Sequence, residues 1–209
     1  MVITYYGVSC FKVQSGDTVI AFDPPSKESK EKTPRFETHV AFISHDHPRH
    51  NGRDSLNGKG GELFTIDTPG EYETRGIRVT GVRSFHDDQG GKKRGLNTIY
   101  RVEMEGIAIA HLGDFGEKEL TGEAKETLGD IDILFVPVGG DAVLDPEEAA
   151  AIVNRIEPGI VIPMHYDAKA LKTFLKEMGQ EAQEEDKLTI KKKEIVSDET
   201  RVVVLKPAF

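Results

Sequence analysis

Three histidines crowd into six positions of this 209-residue chain, at His45, His47 and His50. The apolar run before them, Val40–Ile43, predicts a buried strand, and residues i and i+2 of an extended chain point to the same side. Two imidazoles on one side can chelate a metal ion, since neutral imidazole is the commonest metal-binding side chain. A turn at Pro48 can bring His50 to the same cavity. The pattern therefore favours a metal site over a solvated polar loop.

Other apolar runs also end in side chains that could bind a metal. They lead to His86, to His111 with Asp114 three residues later, and to His165. Loops at the ends of strands converge over one edge of a sheet, where functional residues often collect. We therefore expect His86, Asp114 and His165 to join the histidine cluster. His111 is expected to be buried or to support a ligand, and not to bind the metal itself.

The order of these residues resembles the metallo-β-lactamase superfamily of metal-dependent hydrolases. The hallmark of that family is H-x-H-x-D-H after a strand, then a distant His, a Gly-Asp pair and a last His. The order and approximate spacing agree over nearly the whole chain, and the segments PGEYE, HLGD and PMHY strengthen the match. The resemblance lies with the branch of small single-domain proteins that includes sugar-lactone hydrolases. It implies a four-layer αββα sandwich and metal-dependent hydrolysis.

The resemblance also implies how the ligands are shared between two ions. One ion would be held by His45, His47 and His86, and the other by His50 and His165, with Asp114 bridging the two. Where the family has a further metal-binding Asp, this sequence has Arg49. Arginine is permanently charged and cannot be a ligand.

The charge of Arg49 is expected to weaken the second metal site. A guanidinium about 5 Å from a divalent ion costs several kcal/mol at an effective dielectric constant of about 20. Asp46 does not replace the lost ligand, because in extended chain it points away from its histidine neighbours. If Arg49 swings aside, the remaining three ligands can still hold a second ion. We expect one or two divalent ions, zinc first, with manganese, iron or nickel as alternatives.

The expected chemistry is attack by a metal-bound hydroxide on a small, anionic ester, lactone or phosphoester. Asp114 could orient the attacking water. Tyr166 could donate a hydrogen bond to the developing oxyanion, or it could be a structural tyrosine. Arg49 keeps a second interpretation open, in which the chain is a non-catalytic module that binds a metal or another ligand.

Further residues are candidates for substrate binding or for support of the ligands. Lys92, Lys93 and Arg94 lie in a glycine-containing loop after His86, and they could contact an anionic substrate or form a solvated hairpin tip. Asn97 could face the pocket as a substrate-binding residue or cap a turn. Asp23 could support the histidine segment from behind or be a simple turn residue.

The elements that must position these residues divide the chain into two halves. The first half shows short strand patterns separated by Gly, Pro, Asn and Asp, whereas helices alternate with strands in the second half. Helices are predicted over Glu117–Leu128, Asp145–Ile156 and Asp167–Met178. The pattern indicates an α/β (α+β) fold with two central sheets and helices outside, in a single domain over residues 1–209. A doubly wound fold is disfavoured by the helix-poor first half.

The composition of the chain limits the kinds of partner that it can bind. With 36 acidic and 27 basic residues the net charge is -9, which makes nucleic acid an unlikely partner and a small molecule the expected substrate. No apolar run approaches the roughly 20 residues of a membrane span. The single cysteine, Cys10, excludes an internal disulfide framework and a four-cysteine zinc site. With no secretory signal pattern, a cytoplasmic location is expected. The sequence does not indicate an oligomeric state.

Overall fold

A computed structural model describes residues 1–140, 142–196 and 199–209. The strands of the first half are β1 (Val2–Tyr5), β2 (Phe11–Ser15), β3 (Thr18–Phe22), β4 (Glu37–Thr38), β5 (Val40–Phe42), β6 (Asn57–Gly58), β7 (Phe64–Ile66), β8 (Gly70–Thr74), β9 (Ile77–Phe85), β10 (Leu96–Met104) and β11 (Ile107–His111). The later elements are α1 (Gly122–Leu128), β12 (Ile133–Pro137), α2 (Pro146–Ile156), β13 (Ile160–Met164), α3 (Ala168–Glu177), β14 (Glu184–Glu185), β15 (Leu188–Thr189), a short 3-10 helix (Lys192–Glu194), β16 (Arg201–Val202) and β17 (Val204–Leu205).

Two large sheets form the centre of the molecule. The six-stranded sheet has the order β15-β1-β2-β3-β5-β7, and the seven-stranded sheet has the order β16-β13-β12-β11-β10-β9-β8. Two small pairs, β14 with β17 and β4 with β6, lie apart from them. Strands β11, β12 and β13 run parallel and are buried along their whole length, as expected of strands covered on both faces.

The hydrophobic core has two layers, one on each face of the seven-stranded sheet. The first layer lies between the sheets, where Phe11 and Phe22 of the smaller sheet meet Phe135 of the larger one. The second layer joins the outer face of the larger sheet to the helices, through side chains such as Leu128 and Phe174. The predicted mixed α/β fold with two central sheets is therefore confirmed.

The two flanks of this sandwich are unequal. All three helices contribute to the second core layer, on the side of the seven-stranded sheet. No α-helix precedes Gly122, a region that the structure describes in full. The helical layer expected outside the six-stranded sheet is thus absent from that region of the chain.

Capping residues explain where the helices begin. Helix α1 starts at Gly122, later than predicted, because Thr121 is the cap and its hydroxyl accepts a hydrogen bond from the Ala124 N–H at 3.1 Å. Asp145 caps α2 by accepting from the Glu148 N–H at 2.8 Å. Asp167 caps α3 in the same way.

The C-terminal region is made of short elements. Two short strands, β16 and β17, lie near the end of the chain. The lysine run at 191–193 enters the 3-10 helix. The Lys192 ammonium contacts the Asp132 carboxylate at 2.6 Å, a partner 60 residues away that local sequence does not reveal. None of the described helices is long and apolar enough to cross a bilayer.

Candidate metal centre

The histidine segment folds back on itself directly after β5. The His50 N–H donates to the His47 carbonyl at 2.8 Å, and the Asn51 N–H donates to the same carbonyl at 2.9 Å. These turns bring the ring of His50 to 4.4 Å from that of His45, measured between centroids. One ring nitrogen from each of His45, His47 and His50 lies within 4.8 Å of the others. The segment therefore presents three imidazoles to one place.

Asp114 lies at the centre of the remaining ligands, where β5, β9, β11 and β13 all end. The Nε2 atoms of His50 and His86 are each 3.3 Å from Asp114 Oδ2. That of His165 is 3.6 Å away, and that of His45 is 3.9 Å away. Four imidazoles from three distant stretches of chain thus surround one carboxylate.

Two overlapping groups around Asp114 have the spacing of a metal site. His45, His86 and Asp114 form one group, and His50, Asp114 and His165 form the other, with ligand atoms within 4.8 Å of one another in each. Asp114 belongs to both groups, so its carboxylate can lie between two ions. All six predicted ligands are therefore brought together.

Unpaired buried atoms test whether these residues suit a cation. His45 Nε2, His86 Nε2 and Asp114 Oδ1 are buried and have no hydrogen-bond partner among the described residues. Leaving a buried polar atom unpaired costs about 1–3 kcal/mol, and more for a charged group. Neutral imidazole nitrogen and carboxylate oxygen are good ligands for a divalent ion, which would satisfy all three atoms. The residues present fit a metal centre.

The protonation states of three of these histidines and of Asp114 also suit metal binding. Burial, as the main cause, lowers the pKa of His45 to about 4 and also lowers the pKa of His86 and His165. These rings are neutral near pH 7, which is the form that binds metals. Burial would raise the pKa of Asp114, but the surrounding imidazoles outweigh it and lower the pKa, so this carboxylate is ionised.

A buried network behind His50 fixes its orientation. His50 Nδ1 lies 2.7 Å from Ser9 Oγ and 3.3 Å from the Asp23 carboxylate. Asp23 also accepts from the N–H and the hydroxyl of Ser44, both at 2.7 Å. With Nδ1 bonded behind, Nε2 faces Asp114 and the cation position. The proposed supporting role of Asp23 thus has direct contacts, whereas Ser9 and Ser44 were missed, since nothing in their spacing marks them.

A second buried network holds the Asp114 backbone. The Asn97 amide donates to Ser84 Oγ at 2.7 Å and to the Leu112 carbonyl at 2.8 Å, and it accepts from the Asp114 N–H at 3.0 Å. Asn97 is buried and its amide is engaged on both sides. These contacts support a role for Asn97 in positioning Asp114, while its role in substrate binding stays a prediction. Gly113 needs φ of +61°, and a Cβ there would collide with Asn97 and Ser44.

The contacts of His111 support a structural role. Its ring is fully buried and stacks on Phe22, with centroids 4.8 Å apart. Its Nε2 lies 3.0 Å from the Ser9 carbonyl, and its Nδ1 accepts from the Gly113 N–H at 3.1 Å. His111 therefore connects the Ser9 and Asp114 supports.

Tyr166 faces the helices. Its ring packs against the apolar cluster beneath them and lines a groove of about 960 Å³ along α3. Burial raises the pKa of its hydroxyl to about 12. Across the described residues, no hydrogen bond joins this hydroxyl to the ligand atoms. These contacts support the structural interpretation of Tyr166.

The loop after His86 is organised by one carboxylate. Asp87 accepts hydrogen bonds from the backbone N–H groups of Gln89, Gly91, Lys93 and Arg94, at 2.8–2.9 Å. This network fixes the course of the loop backbone next to His86.

A cleft of about 250 Å³ lies beside this loop and next to the metal ligand His86. The basic side chains of Lys93, Arg94 and Lys118 line it together with His86 and with the acids Asp87, Asp88 and Glu148. Lys92 does not line this cleft. Two of the three predicted cations, Lys93 and Arg94, are thus placed beside a ligand.

Arg49 turns to the outside of the centre. Its Nε lies 3.0 Å from Oε1 of Glu31. The neighbouring Asp46 carboxylate accepts a hydrogen bond from the Asn51 side chain and is exposed, consistent with the expectation that it does not bind the metal. His39 is engaged elsewhere, since its Nδ1 accepts from the Val19 N–H at 3.1 Å.

Comparison with known proteins gives the family. Residues 2–165 match the model of the beta-lactamase superfamily domain. The chain is similar to a UPF0173 metal-dependent hydrolase of Thermococcus onnurineus, at 32% identity over 66% of this chain and 56% of the relative, so it spans little more than half of that protein. It is also 28% identical to a UPF0173 metal-dependent hydrolase of Nitratidesulfovibrio vulgaris, over 78% of this chain and 79% of the relative.

A solved structure gives the same result. A Thermotoga maritima protein, described as a candidate Zn-dependent hydrolase of the metallo-beta-lactamase superfamily, superposes with a TM-score of 0.79 at 31% identity. The match covers 98% of this chain and 97% of that one. The chain therefore belongs to the beta-lactamase superfamily.

Proposed function

We propose that this domain, residues 1–209, hydrolyses a small anionic ester, lactone or phosphoester with the help of one or two divalent ions, of which zinc is the first candidate. The observation that carries the proposal is the set of buried, unpaired ligand atoms on His45, His86 and Asp114. Such atoms are costly unless a ligand satisfies them. The zinc-dependent description of the Thermotoga maritima relative supports the choice of metal.

Six side chains would hold the ions. His45, His47 and His86 would hold one ion, His50 and His165 the other, and Asp114 would lie between them. When bound, a divalent ion supplies Lewis-acid activation of water and of the substrate oxygen. The Asp114 carboxylate is ionised, and an oxygen of it that the ions leave free could accept a hydrogen bond from the attacking water and orient it.

The cleft beside His86 offers basic side chains to an anionic substrate. Lys93, Arg94 and Lys118 line it together with the acids Asp87, Asp88 and Glu148, and Lys118 pairs with Glu148 at 3.3 Å. Lys93 and Arg94 could contact a small anion, whereas the net charge of -9 disfavours long polyanions. The position of the cleft next to a metal ligand would place the anionic group of a substrate close to the reacting centre.

Metal removal and restoration tests the proposal. We expect the untreated chain to hydrolyse at least one member of a panel of lactones, carboxylic esters and phosphodiesters. Chelation should abolish that turnover and added Zn²⁺ should restore it. His86→Ala should abolish it as well, while His39→Ala, which removes a histidine outside the centre, should retain it.

Two other outcomes would contradict the proposal. Stoichiometric metal binding without turnover across the panel would favour the non-catalytic binding module. That alternative is suggested by Arg49, which occupies a position where the family has a metal-binding Asp. Turnover that survives both chelation and His86→Ala would show that hydrolysis takes place elsewhere.

A further inference from the structure

The charge of Arg49 is the main obstacle to a second ion. Arg49 lies within the ligand segment, and its backbone N–H donates to His47 Nδ1 at 3.3 Å. The two histidines on either side of it in the sequence, His47 and His50, offer ring nitrogens within 4.8 Å of each other. The guanidinium is therefore carried by the segment that would bind the cations.

Glu31 holds this guanidinium through a single ionic contact. Arg49 Nε is itself buried and makes no hydrogen bond to any described residue, so the 3.0 Å ion pair with Glu31 is the contact that the structure shows for it. The side chains of Arg49 and Glu31 are 40% and 41% exposed. An ion pair at this exposure contributes little to stability. Its effect is to fix the position of the Arg49 charge.

The segment that carries Glu31 is fastened to the histidine segment. The Ser26 N–H donates to the Pro48 carbonyl at 2.8 Å, and the Gly52 N–H donates to the Pro24 carbonyl at 2.6 Å. The Glu31 N–H in turn donates to Ser29 Oγ at 3.1 Å. Because these bonds join residues on both sides of Arg49, the Glu31 carboxylate is kept within reach of the guanidinium.

We propose that Glu31 is a positioning residue for the second cation: by pairing with Arg49 it neutralises and draws aside the guanidinium, so that His50, Asp114 and His165 can bind an ion despite the arginine. This inference rests on the proposed metal centre. It also gives a reason why an arginine can occupy this position without closing the site. Without the Glu31 carboxylate, the free guanidinium would oppose the ion by direct repulsion.

A double-mutant cycle on Zn²⁺ affinity tests the proposal. Metal-free protein is titrated with Zn²⁺ by calorimetry, and bound zinc is counted by elemental analysis. Glu31→Gln should weaken the second Zn²⁺ about threefold, the scale of one exposed ion pair. Arg49→Gln should strengthen it about tenfold, because one positive charge near the ion is removed. In the Arg49→Gln background, Glu31→Gln should change nothing.

Glu28→Gln is the matched control. It removes the same charge from the same segment, at an exposed residue that forms no ion pair with the described residues. It should leave both Zn²⁺ affinities unchanged. Thermal unfolding of each metal-free variant should match that of the wild type, since all three positions are at least partly exposed.

The possible results separate this inference from the proposed function. Equal effects of Glu31→Gln with and without Arg49, or an equal effect of Glu28→Gln, would overturn the inference, because Glu31 would then act through charge alone. A wild-type chain that binds one Zn²⁺ only would overturn it as well and leave the metal centre standing. A chain that binds no Zn²⁺ would refute the proposed function itself.

Discussion

The inner wall and the rim of the metal centre are built in different ways. On the inner wall, His50 and Asp114 are almost fully buried, and each is held by a network of buried hydrogen bonds. At the rim, His47 is exposed and Arg49 is held by a half-exposed ion pair. The difference indicates that the inner wall is preorganised for a cation, while the rim can vary and can set how tightly the second ion is held.

Removal of the shared carboxylate should have the largest effect. Asp114→Asn keeps the size of the side chain but removes the charge that lies among four imidazoles. We expect the loss of tight binding at both positions, with affinity for Zn²⁺ falling by about 100-fold or more. Calorimetric titration with Zn²⁺ would measure this. Retention of both ions would show that the imidazoles alone form the site and that the inner wall is not what we describe.

Damage to the support behind the inner wall should come next. Asp23→Ala leaves His50 and the Ser44 N–H without their carboxylate partner. Such supporting residues typically change metal affinity about 10- to 100-fold, and the loss of a buried partner should also destabilise the fold by about 1–3 kcal/mol. Urea unfolding of the metal-free protein would measure the change in the free energy of unfolding. Ser15→Ala, another buried polar residue that lies far along β2 from the ligands, is a control that should leave Zn²⁺ affinity unchanged.

A change at the rim should have a smaller effect and the opposite sign. Arg49→Asp restores the residue type that the family uses as a ligand and removes a positive charge. We expect the second Zn²⁺ to bind about 10- to 30-fold more tightly, which corresponds to about 1.4–2 kcal/mol. Bound zinc per chain at limiting free Zn²⁺ would measure it, together with turnover on the responsive substrate. Unchanged occupancy would mean that the rim does not control the second ion.

The smallest effect is expected in the cleft beside His86. Lys93→Ala should raise KM for an anionic substrate about three- to tenfold, with little change in kcat, because one charged contact is lost from binding. Lys92→Ala is a matched control from the same loop, since Lys92 is also exposed but does not line the cleft. A neutral substrate should respond to neither change. If both lysines alter KM equally, general surface charge explains the preference and the cleft does not.

The strand ends and the ligands could be predicted because each is encoded locally. His45 and His47 follow an apolar run at a spacing of two, which predicts that their side chains point to the same side. His86 and His165 likewise follow apolar runs that predict strands. Helix starts were predicted to within a few residues except for α1. That helix was predicted from Glu117, but Thr121 is its cap and the helix therefore begins later.

The contacts that the sequence did not reveal join residues that lie far apart in the chain. Ser9 contacts a ring 41 residues away, and nothing local distinguishes it from other serines. Asn97 opens a strand, which does not reveal that its amide turns inward to hold Asp114. The Glu31 contact with Arg49 likewise depends on how two irregular segments pack together, and the hydrophobic periodicity of the sequence does not predict it.

Anomalous diffraction from crystals of the Zn²⁺-loaded chain, recorded at the zinc edge, would show where the metal binds. We predict a strong anomalous peak about 2.0–2.2 Å from ring nitrogens of the cluster and from an Asp114 oxygen, the usual Zn–N and Zn–O distances. A second, weaker peak between His50 and His165 would match a rim that limits the second ion. Zinc found only at surface residues, with the six ligands unoccupied, would contradict the account.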